Sequence, residues 1–252
     1  MKITLLYGQI KITMVRKGDK GKKVALLIDP DDHHGSNPER VLEVANRSGA
    51  DYILVGGSLT FRKPGELIRI IKSKSDIPVY IFPGNLLQLD DSADGILLLS
   101  LISGRNPELL IGNHVVAAPL LKQMKSEIIS VGYILINCGS KTSVEYMSQT
   151  EAIPSSKPEI AVATSIAGAL LGLKIIYLEA GSGADYPVPP EIISSVRKNI
   201  DIPIIVGGGL RRPLDIEAAF RSGADIIVLG NGAVENPILL EEACEIRNKF
   251  ND

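Results

Sequence analysis

The sequence predicts an α/β protein of the (β/α)8 TIM-barrel class on three observations. Eight apolar runs rich in Val, Ile and Leu recur along the chain, each too short for a helix and each ending in Gly, Asp, Asn, Ser or Glu. Such runs read as parallel strands buried on both faces. Stretches with helical spacing lie between them, and the 252 residues, 45% of them hydrophobic, suffice for one large core. An open doubly wound sheet more often shows a glycine fingerprint after its first strand. The first run here, VALLIDPDD, has none.

In order, the strands are expected at residues 24–29, 52–56, 78–82, 95–99, 131–136, 174–179, 203–206 and 226–229. Two helices carry clear start signals: Asn37 before Pro38 opens PERVLEVANRSG, and Pro213 opens PLDIEAAFRSG. Proline suits a first helical turn, and Gly49 and Gly223 suit the stops. SGAD recurs at 48–51 and 222–225, and DIP at 76–78 and 201–203, each directly before a strand. One helix–turn–strand unit is being reused, though the reversed order of the two phrases does not support a simple half-barrel duplication. The connection 137–173 is longer than the others, with a polar piece and then a helix-like piece, and is expected to form a lid or one wall of a cleft. Residues 1–252 are read as a single barrel domain.

Lys and Arg total 27 against 29 for Asp and Glu, a net charge of -2, so there is no basic footprint for nucleic acid. No apolar run approaches the roughly 20 residues that span a bilayer, and residues 1–23 lack the pattern of a secretion signal. A soluble, cytoplasmic protein is expected. Cys138 and Cys244 form no CxxC pair and are read as buried or half-exposed free thiols.

Barrel chemistry sits where strands end, at the carboxyl rim. The candidates there are Asp29, Gly56 with Gly57 and Ser58, Pro83 with Gly84 and Asn85, Ser100, Asn137, Glu179 with Gly181, Ser182 and Gly183, then Gly207, Gly208 and Gly209, and last Gly230, Asn231 and Gly232. The final two clusters follow strands seven and eight, where glycines let the backbone approach a phosphate. Asp29, Asp31 and Asp32 place three carboxylates within four residues and suit Mg2+, with strand-final Asp29 the favoured ligand and Ser58 the second. Asp31 and Asp32 are equally well read as caps of the following helix. Glu179 ends an otherwise apolar strand and is the natural general base, with Tyr177 its same-face neighbour. His33, His34 and His114 have no metal-ligand spacing and are read as solvated. So are Arg62 with Lys63 and Arg211 with Arg212, at helix starts, with contact to a diphosphate the alternative for either pair.

Taken together, LIDPD at 27–31, VGGS at 55–58, IFPGN at 81–85, INCGSK at 136–141, KPEIAVA at 157–163, YLEAGSGA at 177–184, VGGGLR at 206–211 and GNGAVENP at 230–237 resemble the geranylgeranylglyceryl phosphate synthase family. The resemblance covers residues 24 to 240, and YLEAGSGA after a strand is highly specific. It implies a modified TIM barrel that joins sn-glycerol 1-phosphate to a polyprenyl diphosphate, geranylgeranyl diphosphate in the archaeal branch, forming an ether and releasing diphosphate with Mg2+ as cofactor. Carried over position by position, the metal ligands fall on Asp29 and Ser58. The glycerol-phosphate contacts fall on Tyr177, Leu178, Glu179, Ala180, Gly181, Ser182, Gly183, Gly207, Gly208, Gly209, Gly230 and Asn231. The family usually reads DPDK at the first strand end, where this chain has Asp32. Leu27 stands where bacterial relatives carry Lys, which favours the archaeal branch. A lipid product implies peripheral membrane contact, and barrels of this kind imply a symmetric homo-oligomer. Two other readings use the same glycines: a barrel that isomerises or condenses another small phosphorylated metabolite, and a non-catalytic phosphate binder.

Overall fold

The computed structural model describes Met14, residues 21–31 and residues 38–252. The expectations placed on Asp32, His33, His34 and the Asn37 start signal, and most of the stretch read for a secretion signal, lie outside the described residues.

Eight parallel strands close into a barrel. They are β1 (Lys23–Ile28), β2 (Tyr52–Val55), β3 (Val79–Ile81), β4 (Gly95–Leu101), β5 (Glu127–Asn137), β7 (Ile175–Glu179), β8 (Ile204–Gly207) and β9 (Ile226–Leu229). The sheet runs β4-β3-β2-β1-β9-β8-β7-β5, and β4 pairs with β5 from Gly95 against Glu127 to Leu101 against Tyr133, which closes it. A two-residue β6 (Ile153–Pro154) pairs with the end of β5. All eight expected runs are strands of this barrel.

The helices are α1 (Pro38–Ser48), α2 (Pro64–Lys74), α3 (Asn113–Leu121), α4 (Ser143–Ser148), α5 (Pro158–Leu170), α6 (Pro190–Arg197), α7 (Pro213–Arg221), α8 (Asn231–Glu235) and α9 (Ile238–Asn251). Proline opens α1 and α7 as expected, and left-handed Gly49 and Gly223, with φ of 70° and 112°, follow their ends. Strict alternation fails once, between β3 and β4. The connection there holds a single 3-10 turn, Leu86–Gln88, in place of a helix. Too few residues separate the strands for a packed helix and two turns, and local bonds take over: the Asn85 side chain accepts the Leu87 N–H at 2.9 Å and Asp90 accepts the Ser92 N–H at 2.9 Å.

Strand alternation divides the core in two. Leu54, Tyr80, Leu97, Val131, Tyr177 and Val228 fill the barrel, joined by the buried side chain of Met14. Ile53, Val55, Ile134, Ile176, Leu178 and Ile204 face outward onto the helices.

The repeated SGAD phrase has a structural explanation. Asp51 accepts the Val24 N–H at 2.9 Å, and Asp225 accepts the Ile204 N–H at 2.9 Å, each closing the amino end of a neighbouring strand. Asp94 does the same for Val79 at 2.8 Å. Each carboxylate also meets a cation: Arg247 at Asp51, Arg197 at Asp225 and Lys72 at Asp94. The amino rim is thereby a belt of paired carboxylates, and the repeat belongs to folding rather than to chemistry.

Candidate functional site

A cavity of about 240 Å3 opens at the carboxyl rim. Asp29 from the end of β1, Ser58 after β2, Tyr177 and Glu179 from β7, and the glycine loops after β7, β8 and β9 all line it. Asp29 accepts the Asp31 N–H at 2.9 Å, which orients its carboxylate. A Cβ on Gly57 would stand 2.2 Å from Asp29 Oδ2, so glycine there is what lets the carboxylate lie against the β2 loop that leads to Ser58. Asp31 accepts the N–H groups of Phe61 and Arg62. It does not line the cavity, and the residues leading into the following helix lie outside the described residues. It ties the loop after β1 to the loop after β2.

Glu179 is 6% exposed and accepts the Gly181 N–H at 2.7 Å. Burial pushes its carboxyl up to about 7, opposed by the Gly181 N–H and the nearby Tyr177 hydroxyl, which favour the charged form. That value suits a base working near neutrality. The Tyr177 hydroxyl is buried and has no aligned hydrogen-bond partner among the described residues. Burial raises its pKa well above the ordinary value, helped by Glu179, so it stays a neutral donor. A buried hydroxyl without a partner, on a residue lining a cavity, is a natural place for a polar ligand.

The glycines are spaced by this pair. A Cβ on Gly207 would lie 2.3 Å from the Tyr177 hydroxyl, and one on Gly208 would lie 2.3 Å from Glu179 Oε1. Gly230 differs, since a Cβ there would meet only Leu27, at 3.9 Å, and would protrude into open cavity. Of the positions named from the sequence, Asp29, Ser58, Tyr177, Glu179, Ser182, Gly183, Gly208, Gly209, Gly230 and Asn231 line the cavity together. Leu178, Ala180, Gly181 and Gly207 do not. The side chains of Leu178 and Ala180 are buried in the outer layer, because strand alternation turns them from the rim.

A second cavity, of about 290 Å3, adjoins the first. Gly57, Ser58, Phe82, Tyr133 and Val144 line both, and the second continues over Leu86, Leu89, Leu98, Leu101, Leu109 and Met147. Val144 lies on α4, so the long connection does form one wall of the cleft. Phe82, Tyr133 and Tyr177 pack at the junction with ring centroids 5.3 to 5.8 Å apart, Tyr133 edge-on to the other two rings. Gln88, 1% exposed, donates to the Gly57 carbonyl at 2.9 Å and accepts the Gly84 N–H at 3.1 Å, holding two strand-end loops in place. Of these, Tyr177 is singled out by the sequence, whereas Phe82, Tyr133 and Gln88 are not, since their partners lie far away along the chain.

Two expectations are corrected. His114 is not a solvated side chain: the register of α3 turns it to the wall of the apolar cavity, with Nε2 3.2 Å from Ser100 Oγ and Nδ1 buried without a hydrogen-bond partner among the described residues. Burial lowers its pKa, so the ring is neutral. Arg211 is exposed at a helix start as expected, yet it also lines the polar cavity. Arg62 and Lys63 are exposed, and Arg212 pairs with Asp215 at the start of α7. Cys138 and Cys244 are buried free thiols, pushed up to about 12 and about 11 chiefly by burial.

A closed parallel barrel with two carboxylates, glycine loops and a buried hydroxyl gathered around one cavity at its carboxyl rim defines a TIM barrel with a candidate ligand site at that rim. The chain belongs to the PcrB family, whose pattern matches residues 19–247. It is 46% identical to the geranylgeranylglyceryl phosphate synthase of Spirosoma linguale over 91% of this chain and 93% of that one. It is 39% identical to the synthase of the same name from Thermococcus kodakarensis over 98% of both. Among solved structures, the (S)-3-O-geranylgeranylglyceryl phosphate synthase of Thermoplasma acidophilum, in complex with substrate sn-glycerol-1-phosphate, superposes with a TM-score of 0.82 at 35% identity, covering 90% of this chain and 92% of that one. The N-acetylmannosamine-6-phosphate 2-epimerase of Clostridium perfringens, at 16% identity and a TM-score of 0.57, shares the fold alone.

Proposed function

We propose that this protein is a geranylgeranylglyceryl phosphate synthase, a prenyltransferase that joins sn-glycerol 1-phosphate to geranylgeranyl diphosphate and releases diphosphate. One observation carries the reading beyond family membership: the polar cavity holding Glu179 and the apolar cavity behind Phe82 and Tyr133 share a wall. A phosphorylated polyol and a prenyl chain need such a pair of neighbouring compartments.

In this reading the acceptor phosphate sits on the backbone of Gly208, Gly209, Gly230 and Asn231, with Ser182 and Gly183 beside it. That anchor fixes the free hydroxyl near the allylic carbon. The hydroxyl oxygen bonds to the allylic carbon as the bond from that carbon to the diphosphate oxygen breaks. Diphosphate leaves with the electron pair, and the hydroxyl proton passes to Glu179. Tyr177 donates to the acceptor and orients it. Asp29 and Ser58 would hold Mg2+, which supplies charge neutralisation for the diphosphate. One carboxylate and one hydroxyl suit that ion when the rest of its shell comes from diphosphate oxygens and water. Among the described residues no group of three or more His, Cys, Asp or Glu forms a self-contained metal site.

No helix among the described residues is long and apolar enough to cross a membrane. Peripheral membrane contact, a symmetric homo-oligomer, cytoplasmic placement and a single domain spanning residues 1–252 are parts of the same proposal. The exposed Ile111, Val115, Val116 and Leu120 on and beside α3 offer an apolar surface for contact.

The test is direct. Purified protein is incubated with sn-glycerol 1-phosphate and geranylgeranyl diphosphate, with Mg2+ or EDTA, while ether product and diphosphate are followed. Farnesyl and longer donors, and glycerol 3-phosphate, complete the series. Mg2+-dependent ether formation specific to the 1-phosphate is expected. No ether with any donor would overturn the reading.

A further inference from the structure

We infer that Arg211 supplies the positive charge that recognises the phosphate of the acceptor. The inference rests on the proposed function and adds a residue to it. Asp29 and Glu179 both line the polar cavity, so a phosphate dianion entering it meets carboxylates and neutral backbone. Among the described residues lining either cavity, Arg211 is the one Lys or Arg. It follows the glycine loop after β8 with only Leu210 between, and a Cβ placed on Gly232 would lie 3.7 Å from Arg211 Cγ. Its stem therefore runs between the two glycine clusters, at the phosphate end of the cavity rather than at the Ser58 side that joins the apolar cavity.

The neighbouring residue shows that this is placement and not composition. Arg212 is held by Asp215 through two bonds, at 2.9 and 2.7 Å, and does not line the cavity. Arg211 has no ion pair or hydrogen bond from its side chain to any described residue. A guanidinium free of protein partners matches a phosphate with two parallel N–H donors, and it adds the charge that backbone N–H groups lack. Arg211 in this role discriminates a phosphorylated acceptor from a bare polyol, whereas the glycines provide shape.

Steady-state kinetics of Arg211→Ala, Arg211→Lys and Arg212→Ala, varying each substrate in turn, test this. Arg211→Ala is expected to raise KM for sn-glycerol 1-phosphate about tenfold, the loss of one charge-assisted contact, with kcat changed by less than about threefold. KM for the prenyl diphosphate stays as in the parent, Arg211→Lys recovers part of the loss, and Arg212→Ala behaves as the parent. An unchanged KM for the acceptor, or a rise confined to the prenyl diphosphate, would overturn the assignment. Inorganic phosphate binding to the parent and to Arg211→Ala, measured by calorimetry, separates this inference from the reading beneath it. If the parent makes no ether, the enzyme reading fails, while about tenfold weaker phosphate binding in the variant still supports Arg211. Equal phosphate affinity sinks the inference.

Discussion

The two rims of the barrel use the same residue type for opposite ends. At the amino rim, Asp51, Asp94 and Asp225 each accept a strand N–H and meet an Arg or Lys, so their charges are spent on closing the sheet. At the carboxyl rim, Glu179 is buried and accepts the Gly181 N–H, beside a tyrosine hydroxyl that has no hydrogen-bond partner among the described residues. A carboxylate paired at one rim contributes stability, and a carboxylate buried beside open cavity costs it. That difference separates the paired acids of the amino rim from the candidate chemical acids of the carboxyl rim.

The sharpest way to break the comparison is at Asp29. Asp29→Asn keeps the size of the side chain and removes the charge that would hold Mg2+, and kcat is expected to fall by about a thousandfold or more while the melting temperature changes little. Similar turnover in parent and variant would return Asp29 to the structural class. Glu179→Gln comes next. Its amide oxygen can still accept the Gly181 N–H, so KM for the acceptor is expected to hold while kcat drops by about a hundredfold, typical of a lost general base. Turnover that survives the change would end its role as base.

At the other rim the effect moves from rate to stability. Asp225→Ala leaves the Ile204 N–H without its acceptor and Arg197 without its partner, and is expected to cost about 2 kcal/mol in chemical denaturation with kcat unaltered. A loss of rate instead of stability would erase the distinction between the rims.

The pH dependence of folding carries the same contrast with a definite sign. The carboxyl of Glu179 is raised from 4.5 to about 7, so between those values the native state binds a proton that the unfolded chain has released. Its neutral form is therefore favourable to folding below pH 4.5, and the advantage is lost as pH rises through about 7. Relative to Glu179→Gln, the parent is expected to lose up to about 3 kcal/mol across that window. Parallel denaturation curves of the two proteins at pH 5 and pH 8 check it, and an equal pH response would show that burial does not tax this group. The smallest effect is expected from Tyr177→Phe. Deleting an unpartnered buried hydroxyl leaves stability equal or raises it by about 1 kcal/mol. KM for the acceptor rises a few-fold, whereas a clear loss of stability would reveal a protein partner for that hydroxyl.

The eight strands and most of the polar cavity were legible because both follow local rules. Buried parallel strands are short apolar runs, and barrel sites lie at strand ends, so Asp29, Glu179 and the glycine clusters stood out by position alone. The missing helix before β4 was less legible, since it depends on how little chain separates two paired strands. The SGAD repeat was visible but mute, and only the contacts of Asp51 and Asp225 assigned it to the amino rim. Gln88, His114, Phe82 and Tyr133 were hidden for a common reason. Each acts through residues brought close by barrel closure, and nothing in their own neighbourhood distinguishes them from core or loop. Arg211 and Arg212 make the point within two residues: adjacent and chemically identical in the sequence, they part only when one lines the cavity and the other meets Asp215.

By itself, then, the sequence determined the barrel, the rim on which chemistry sits and the residue types available there, because period, run length and turn residues are properties of neighbouring positions. Tertiary structure decided which carboxylates are paired, which hydroxyl is left without a partner and where the apolar cavity lies, because desolvation and pairing depend on what the closed barrel brings together.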